Sequence, residues 1–544
     1  MLIFNTLLAI TPLPVNYTVT NQSYKVSLLT YTCALPSGAD CLSVLQPMIN
    51  FYTPLAFPSG TSSFQKEDAA ISTVIISIST DQPPVDFKSA NESYSIITDS
   101  TGIKISADNS FGVARALSTL SQIIYQLAPK QYFINYSQIL DYPKYPYRAV
   151  MVDSSRHFLP LSTLKRQVAA LSIAKMSVLH LHESDSQSFP TKTKTEPGSN
   201  FVKGAWKTGG FQYYHTLEQL LELATYAKNL GVFIMIEFDM PGHASSWGSA
   251  DSTIVCACRD VINPVNELTY EYIRTFLKDI FEVLYKPFGF NPMVHLGGDE
   301  VNSGCFTSDP KVKSELDKKG WGSKEAWQYL HQRVVTIIET LAKDLYPDRQ
   351  SLQYRFYWQE SFTNGNNLSN GGIMHAWMST HEIANAAMKE VYSIRSQGWY
   401  LDLNQPGGNQ EAFVDSWMDF YKIDVTGGLK DEKKKKFVLG GGGCQWGEKV
   451  NDGNIDEQIW PRSIAISEVL WSEPDNRVIN VQLKQRLNEL TCKIRSAGVQ
   501  SGALIASQPC PGIDDRDDNQ VIQGWRGPDL QLGEEDEGWG GRKR

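Results

Sequence analysis

HTLEQLLELATYAKNLGVFIMIEFDMPGH, residues 215–243, carries the pattern on which the fold turns. Leu217 to Leu230 repeats its apolar positions at helical spacing, and Val232 to Phe238 is an apolar run of strand length. Asp239 and His243, both capable of chemistry, follow at once. A helix, a buried strand and polar groups past the strand's C-terminal end make up the repeating unit of a parallel α/β fold.

The alternation extends both ways. Strands are expected at Arg148–Asp153, Ser177–His182, Val232–Phe238, Met293–Leu296, Arg355–Trp358, Ile373–Ala376, Val391–Ile394 and Phe437–Gly440. Helical runs between them include Leu161–Ala174, Leu217–Leu230, Tyr270–Leu284 and Ala326–Leu345. Eight strands with interleaved helices over about 350 residues predict an α/β fold of the (β/α)8 TIM barrel type, assigned to residues 144–511. A doubly wound open sheet is the alternative. No Gly-rich dinucleotide fingerprint opens a helix after a first strand, and Gly440–Gly443 reads as a bare glycine run rather than a phosphate loop.

Upstream, β-rich runs at Thr73–Ser79, Ser93–Thr98 and Gly102–Ala107 and a helical run at Phe111–Leu127 describe a smaller α+β domain, residues 12–143. Two prolines in Tyr142-Pro143-Lys144-Tyr145-Pro146 mark its end. Residues 512–544, with Asp514-Asp515-Arg516-Asp517-Asp518 and Glu534–Glu537, have little to bury and read as an acidic, disordered tail. Lys433–Lys436 reads as a solvated face.

The chain has 544 residues, 42% hydrophobic and 20% charged, which excludes a disordered protein, and its net charge of -9 supplies no global field for nucleic acid or an anionic membrane. No run reaches the roughly 18 apolar residues of a membrane span. Residues 1–11 read as a short signal segment, although they lack a basic start; an ordinary first strand is the alternative. Sequons at Asn16, Asn21, Asn91, Asn135 and Asn367 fit a secretory route, ending in a lysosome-like vesicle or outside the cell. The 8 cysteines suggest Cys33 with Cys41, Cys492 with Cys510, and Cys305 with Cys256 or Cys258. No His or Cys cluster completes a structural-zinc set, so no metal is expected. The 13 Trp and 24 Tyr suit a ligand whose apolar C–H faces stack on aromatic planes, as sugars do.

In a TIM barrel, reacting groups belong just past the C-terminal strand ends, where the loops share one mouth. Here Arg156 follows the first strand, Asp185 the second, Asp239 and His243 the third, and Asp299 and Glu300 the fourth. Trp358, Trp377, Tyr400 with Asp402, and Trp446 with Glu448 follow the remaining four. Carboxylates, one Arg, one His and an aromatic box, with no cofactor, suit glycoside hydrolysis, in which a carboxyl protonates the leaving oxygen. Neighbours on an extended chain project to opposite sides, so Asp299 and Glu300 are not expected to flank one bond as acid and nucleophile. Another nucleophile is wanted.

Asp153-Ser154-Ser155-Arg156-His157, Asp185-Ser186-Gln187-Ser188-Phe189-Pro190, Glu237-Phe238-Asp239-Met240-Pro241-Gly242-His243, His295-Leu296-Gly297-Gly298-Asp299-Glu300 and Trp446-Gly447-Glu448 together resemble the β-N-acetylhexosaminidases of glycoside hydrolase family 20, most closely the eukaryotic lysosomal and secreted type. The likeness spans about residues 12–510. It implies an exo-acting, retaining enzyme acting on N-acetylhexosamine-terminated glycans or chitooligosaccharides, in which the substrate's own 2-acetamido oxygen is the nucleophile and forms an oxazolinium. It implies Glu300 as acid then base, Asp299 on the acetamido N–H, Tyr400 on the acetamido oxygen, and Trp358, Trp377 and Trp446 around the methyl. Arg156, Asp402 and Glu448 would hold sugar hydroxyls; Asp185 and His243 would tune Glu300, and Asp239 would support them from behind. Family members often form dimers, so a homodimer is expected, with no cofactor and no nucleic-acid partner.

Two features depart from the family. His180-Leu181-His182 has Leu where Trp is common, and the acidic tail has no counterpart. A sugar-binding protein on an inactive barrel is disfavoured by the intact Asp299-Glu300 and Tyr400. An endo-acting chitinase is disfavoured because its Asp-x-x-Asp-x-Asp-x-Glu spacing is missing at the fourth strand.

Overall fold

Eight parallel strands close on one another in the computed structural model, which describes residues 10–58, 60, 70–128, 131–347, 353–402, 416–472, 477–504 and 510. In chain order they are Tyr147–Asp153, Val178–His182, Phe233–Glu237, Met293–His295, Tyr354–Trp358, Gly372–Ala376, Tyr392–Arg395 and Val438–Gln445. The eighth pairs with the first from Gly440↔Tyr147 to Gln445↔Val152, which excludes the open sheet. Amphipathic helices such as Leu161–Ile173, Leu217–Asn229, Glu267–Leu284 and Ser323–Leu345 alternate with the strands.

The glycine run is corrected: Gly440–Gly443 lies inside the eighth strand, which continues to Gln445. A side chain has no room there. A Cβ on Gly440 would sit 2.0 Å from the Tyr147 carbonyl oxygen, and one on Gly441 2.1 Å from that of Arg395.

The N-terminal unit is a sheet in the order Asn16–Ala34, Ile71–Ile78, Gly102–Ala107, Tyr94–Asp99, Gln131–Asp141, Tyr125–Ala128, and the first strand also pairs with Gln131–Asp141. Two helices, Leu42–Ala56 and Ser110–Ile123, accompany it. The helix expected over Phe111–Leu127 ends at Ile123, because Tyr125–Ala128 turns to pair with Gln131–Asp141. Its start is set by Asn109, whose side-chain oxygen accepts from the Phe111 amide at 2.9 Å.

Buried charge joins this unit to the barrel. Glu92, just before Tyr94–Asp99, accepts from Arg115 Nε and from Arg148 Nη2, both at 2.8 Å, and all three side chains are shielded from solvent. Burial works against the Glu92 carboxylate, but the two guanidiniums hold its pKa below the usual value.

Disulfides link Cys33–Cys41, Cys258–Cys305 and Cys492–Cys510, which resolves the choice left open at Cys305; Cys256 and Cys444 are buried thiols. Asn16, Asn21, Asn91 and Asn367 are exposed, whereas Asn135 is buried in its strand and its Oδ1 accepts from the Tyr125 hydroxyl at 2.8 Å. Most of the signal-like segment, residues 1–9, and the whole acidic tail lie outside the described residues. Alternation along the second strand puts His180 and His182 on the inner face and Leu181 in the apolar core on the other.

Candidate active site

Every proposed residue converges on the C-terminal mouth of the barrel. Trp358, Trp446, Met151 and Cys444 form a buried cluster of their own, and Trp377 and Tyr400 pack against it. The Trp358 and Trp446 rings are 5.8 Å apart, and Tyr400 stacks against Trp377 at 6.3 Å. The Trp446 indole hydrogen-bonds the Tyr400 hydroxyl. An indole N–H can only donate, so the phenol keeps its own proton free for an acceptor. Burial pushes the Tyr400 pKa well up, so the hydroxyl stays a donor.

On the facing side, charged groups form a chain. His182 lies 2.8 Å by Nδ1 from Glu237 and donates by Nε2 to Asp185 at 3.0 Å. Asp185 Oδ1 is 3.3 Å from His243 Nδ1, and His243 Nε2 is 3.5 Å from Glu300 Oε2 and 3.9 Å from Asp299 Oδ2. Arg156 bridges Asp153 at 3.1 Å and Asp185 at 2.8 Å, with its guanidinium 4.8 Å from the Trp446 ring centre.

The electrostatics follow. Burial would raise the Asp185 pKa, but hydrogen bonds from His182 and His243 and the Arg156 charge hold it below the carboxylate range. Burial opposes a charged His243, yet Asp185, Asp239 and Asp299 raise its pKa to about 10, so it is an imidazolium at neutral pH. Asp239 and Asp299 are buried against each other and hydrogen-bonded; burial and repulsion raise both pKa values, that of Asp239 furthest. The pair therefore resists carrying two negative charges at once. Asp299 Oδ1 has no protein partner among the described residues. Burial lifts the Asp402 pKa to about 7, with Glu448 adding to it.

The expected divergence of Asp299 and Glu300 is corrected. The backbone is not extended there: Glu300 has φ 48°, in the left-handed region, so a buried Asp299 and an exposed Glu300 both address His243. Among the described residues two groups have atoms spaced as metal ligands, His180, Glu237 and His295, and Asp185, Asp239 and His243. In the first, both Glu237 oxygens already have partners: Oε2 accepts from His180 and Oε1 from the Trp358 indole, each at 2.8 Å. In the second, Asp185 is held by Arg156 and His182.

Residues 145–474 match the model of the glycosyl hydrolase family 20 catalytic domain, and residues 10–123 match a β-acetyl hexosaminidase-like domain. The chain belongs to glycosyl hydrolase family 20. Relatives include the β-hexosaminidase subunit beta of Mus musculus, 31% identical over 495 residues, covering 87% of this chain and 86% of that one. The β-hexosaminidase subunit A1 of Dictyostelium discoideum is 29% identical over 470 residues, covering 85% and 84%. In fold the chain resembles a Flavobacterium johnsoniae chitobiase, with TM-score 0.74 at 23% identity over 92% of this chain and 74% of that one.

This family 20 hydrolase holds its Asp299-Glu300 turn by two glycines at which any side chain would be strained and crowded. Gly297 and Gly298 have φ 64° and 94°; a Cβ on Gly297 would lie 1.7 Å from Asp239 Oδ1, and one on Gly298 2.3 Å from Ser361 Oγ. The Gly298 amide donates to Asp239 at 2.9 Å. Gly297→Ala is expected to displace the turn and lower kcat/KM by about a hundredfold, measured on variant protein whose circular dichroism is unchanged.

Three supporting residues of the hydrolase escape a reading of strand ends. Glu237 is the last residue of the third strand and collects His180, His182, His295 and the Trp358 indole; a lone acid within an apolar strand was its signal. Gln359 and Glu360 follow the fifth strand directly. Gln359 Oε1 accepts from the Trp377, Met378 and Ser379 amides at 3.1, 3.0 and 3.2 Å. Glu360 stands two residues beyond Trp358, where the strand-end rule also applies.

Proposed function

We propose that this hydrolase removes terminal, non-reducing β-linked N-acetylglucosamine or N-acetylgalactosamine from glycans or chitooligosaccharides, with retention, the substrate's acetamido group acting as nucleophile. The observation that carries the reading is that Trp358, Trp377, Trp446 and Tyr400 cluster at the same barrel mouth as Asp299 and Glu300, both of which face His243.

In the first step the acetamido carbonyl oxygen bonds to the anomeric carbon as the glycosidic C–O bond breaks, and Glu300 gives its proton to the departing oxygen. The open Oδ1 of Asp299 accepts the acetamido N–H, and its charge balances the developing oxazolinium. Tyr400 donates its hydroxyl to the carbonyl oxygen and holds it for attack, while the indoles exclude water from the methyl. Arg156, Asp402 and Glu448 take the sugar hydroxyls. In the second step ionised Glu300 removes a proton from water, which opens the oxazolinium from the face the leaving group left. His243, positive and held by Asp185, steadies the Glu300 carboxylate between steps.

The test compares wild-type hydrolysis of an aryl β-N-acetylglucosaminide with that of the matching β-glucoside, which lacks the amide. Activity on the acetamido sugar alone is expected; equal rates would refute participation.

The three disulfides suit an oxidising compartment, and no helix among the described residues is long and apolar enough to cross a membrane. Together with the exposed sequons they support a lysosome-like vesicle or the cell exterior as its place of work.

A further inference from the structure

Glu360 is half-buried behind the mouth, on the short helix Gln359–Thr363 that follows the fifth strand. Its two oxygens have separate duties. Oε2 accepts from the Trp377 indole N–H at 2.9 Å, and Oε1 accepts from the Glu300 backbone N–H at 3.4 Å. Trp377 is one wall of the proposed acetamido hollow, and Glu300 the proposed proton donor, itself in a left-handed backbone conformation that a non-glycine residue adopts only when neighbours hold it.

We propose that Glu360 is a positioning residue that couples the acetamido wall to the proton donor, one carboxylate oxygen fixing each. The inference rests on the reaction proposed above. Only a carboxylate can serve both donors: an amide has one acceptor oxygen and must turn an NH2 toward the other N–H. Gln359 completes the clamp by holding the backbone amides of Trp377, Met378 and Ser379, while Glu360 holds the indole ring itself. Burial raises the Glu360 pKa, opposed by the Trp377 hydrogen bond, and the Asp299 charge adds to the rise, which places the carboxyl in the electrostatic field of the reacting pair.

The test measures kcat and KM separately, across pH, for wild type, Glu360→Gln and Glu360→Ala on an aryl β-N-acetylglucosaminide, with circular dichroism to confirm folding. Glu360→Ala frees both partners: KM rises and kcat falls, with kcat/KM down by roughly tenfold to a hundredfold. Glu360→Gln keeps an acceptor for the shorter, stronger contact to Trp377. KM then returns to within about twofold of wild type while kcat stays low, and the alkaline limb of kcat moves to lower pH because a negative charge beside the donor is gone.

A purely structural Glu360 would give a Gln variant indistinguishable from wild type in kcat and in pH profile, and that result overturns the proposal. So does an Ala variant within about twofold of wild type, or a Gln variant whose KM is as poor as that of Ala. Wild-type turnover of the plain glucoside is measured alongside. If it equals that of the acetamido sugar, the participation reading fails on its own evidence, and the kcat response of the Gln variant still reports whether Glu360 serves proton delivery.

Discussion

Glu300→Gln is expected to lower turnover of an N-acetylglucosamine disaccharide by roughly a hundredfold to ten-thousandfold. Gln has nearly the same shape and can still hydrogen-bond His243, so the loss isolates proton transfer from packing. The deficit should shrink with the acidity of the leaving group, because a nitrophenolate departs without a proton. Asp299→Asn is expected to behave differently. Its amide cannot balance the oxazolinium charge, and Asp239 loses the acidic neighbour against which it is buried. That defect touches the nucleophile, so it should be about as large for a nitrophenyl glycoside as for a disaccharide. Leaving-group dependence in the Asp299 variant and its absence in the Glu300 variant would reverse the two assignments.

The largest effect on stability is expected away from the mouth, at Glu92. Removing its carboxylate leaves the buried charges of Arg115 and Arg148 without the acid that bonds them directly, and breaking such a buried pair typically costs about 3–5 kcal/mol. Both guanidiniums have other partners; Arg148, for example, donates to the carbonyls of Lys175 and Tyr145 at 2.9 and 2.8 Å, so they cannot swing out to water without breaking these. Glu92→Gln should therefore lower the thermal midpoint sharply. Lys313→Ala, which breaks the solvent-exposed pair with Asp317 on helix Pro310–Lys319, should leave it almost unchanged. Equal shifts for the two variants would show that the buried cluster contributes no more than a surface pair.

The N-terminal unit shows why parts of the fold were hard to read. Asn16–Ala34 is the longest strand among the described residues, yet most of it is exposed or half-buried and rich in Thr, Ser and Tyr, with only Val26, Leu29 and Cys33 buried, so no regular apolar stripe announces it. Gln131–Asp141 likewise becomes a strand only through partners on both sides, Tyr94–Asp99 and Asn16–Ala34. The eighth barrel strand hid half of its length in a glycine run, because its residues are chosen for the closeness of neighbouring backbones rather than for apolar surface.

By itself the sequence determined the succession of barrel strands and which candidate group stands at the end of each. Apolar periodicity is a local property, and the C-terminal end of a parallel strand faces the mouth whichever residues surround it. Tertiary structure decided the protonation and orientation of those groups. Asp239 is buried against Asp299, whose charge opposes its ionisation, Glu237 gathers three histidines, and Glu360 spans Trp377 and Glu300, across separations of up to 60 residues. Those pairings exist only once barrel closure removes water and sets charges side by side, since burial and Coulomb energy depend on distance in space and not along the chain.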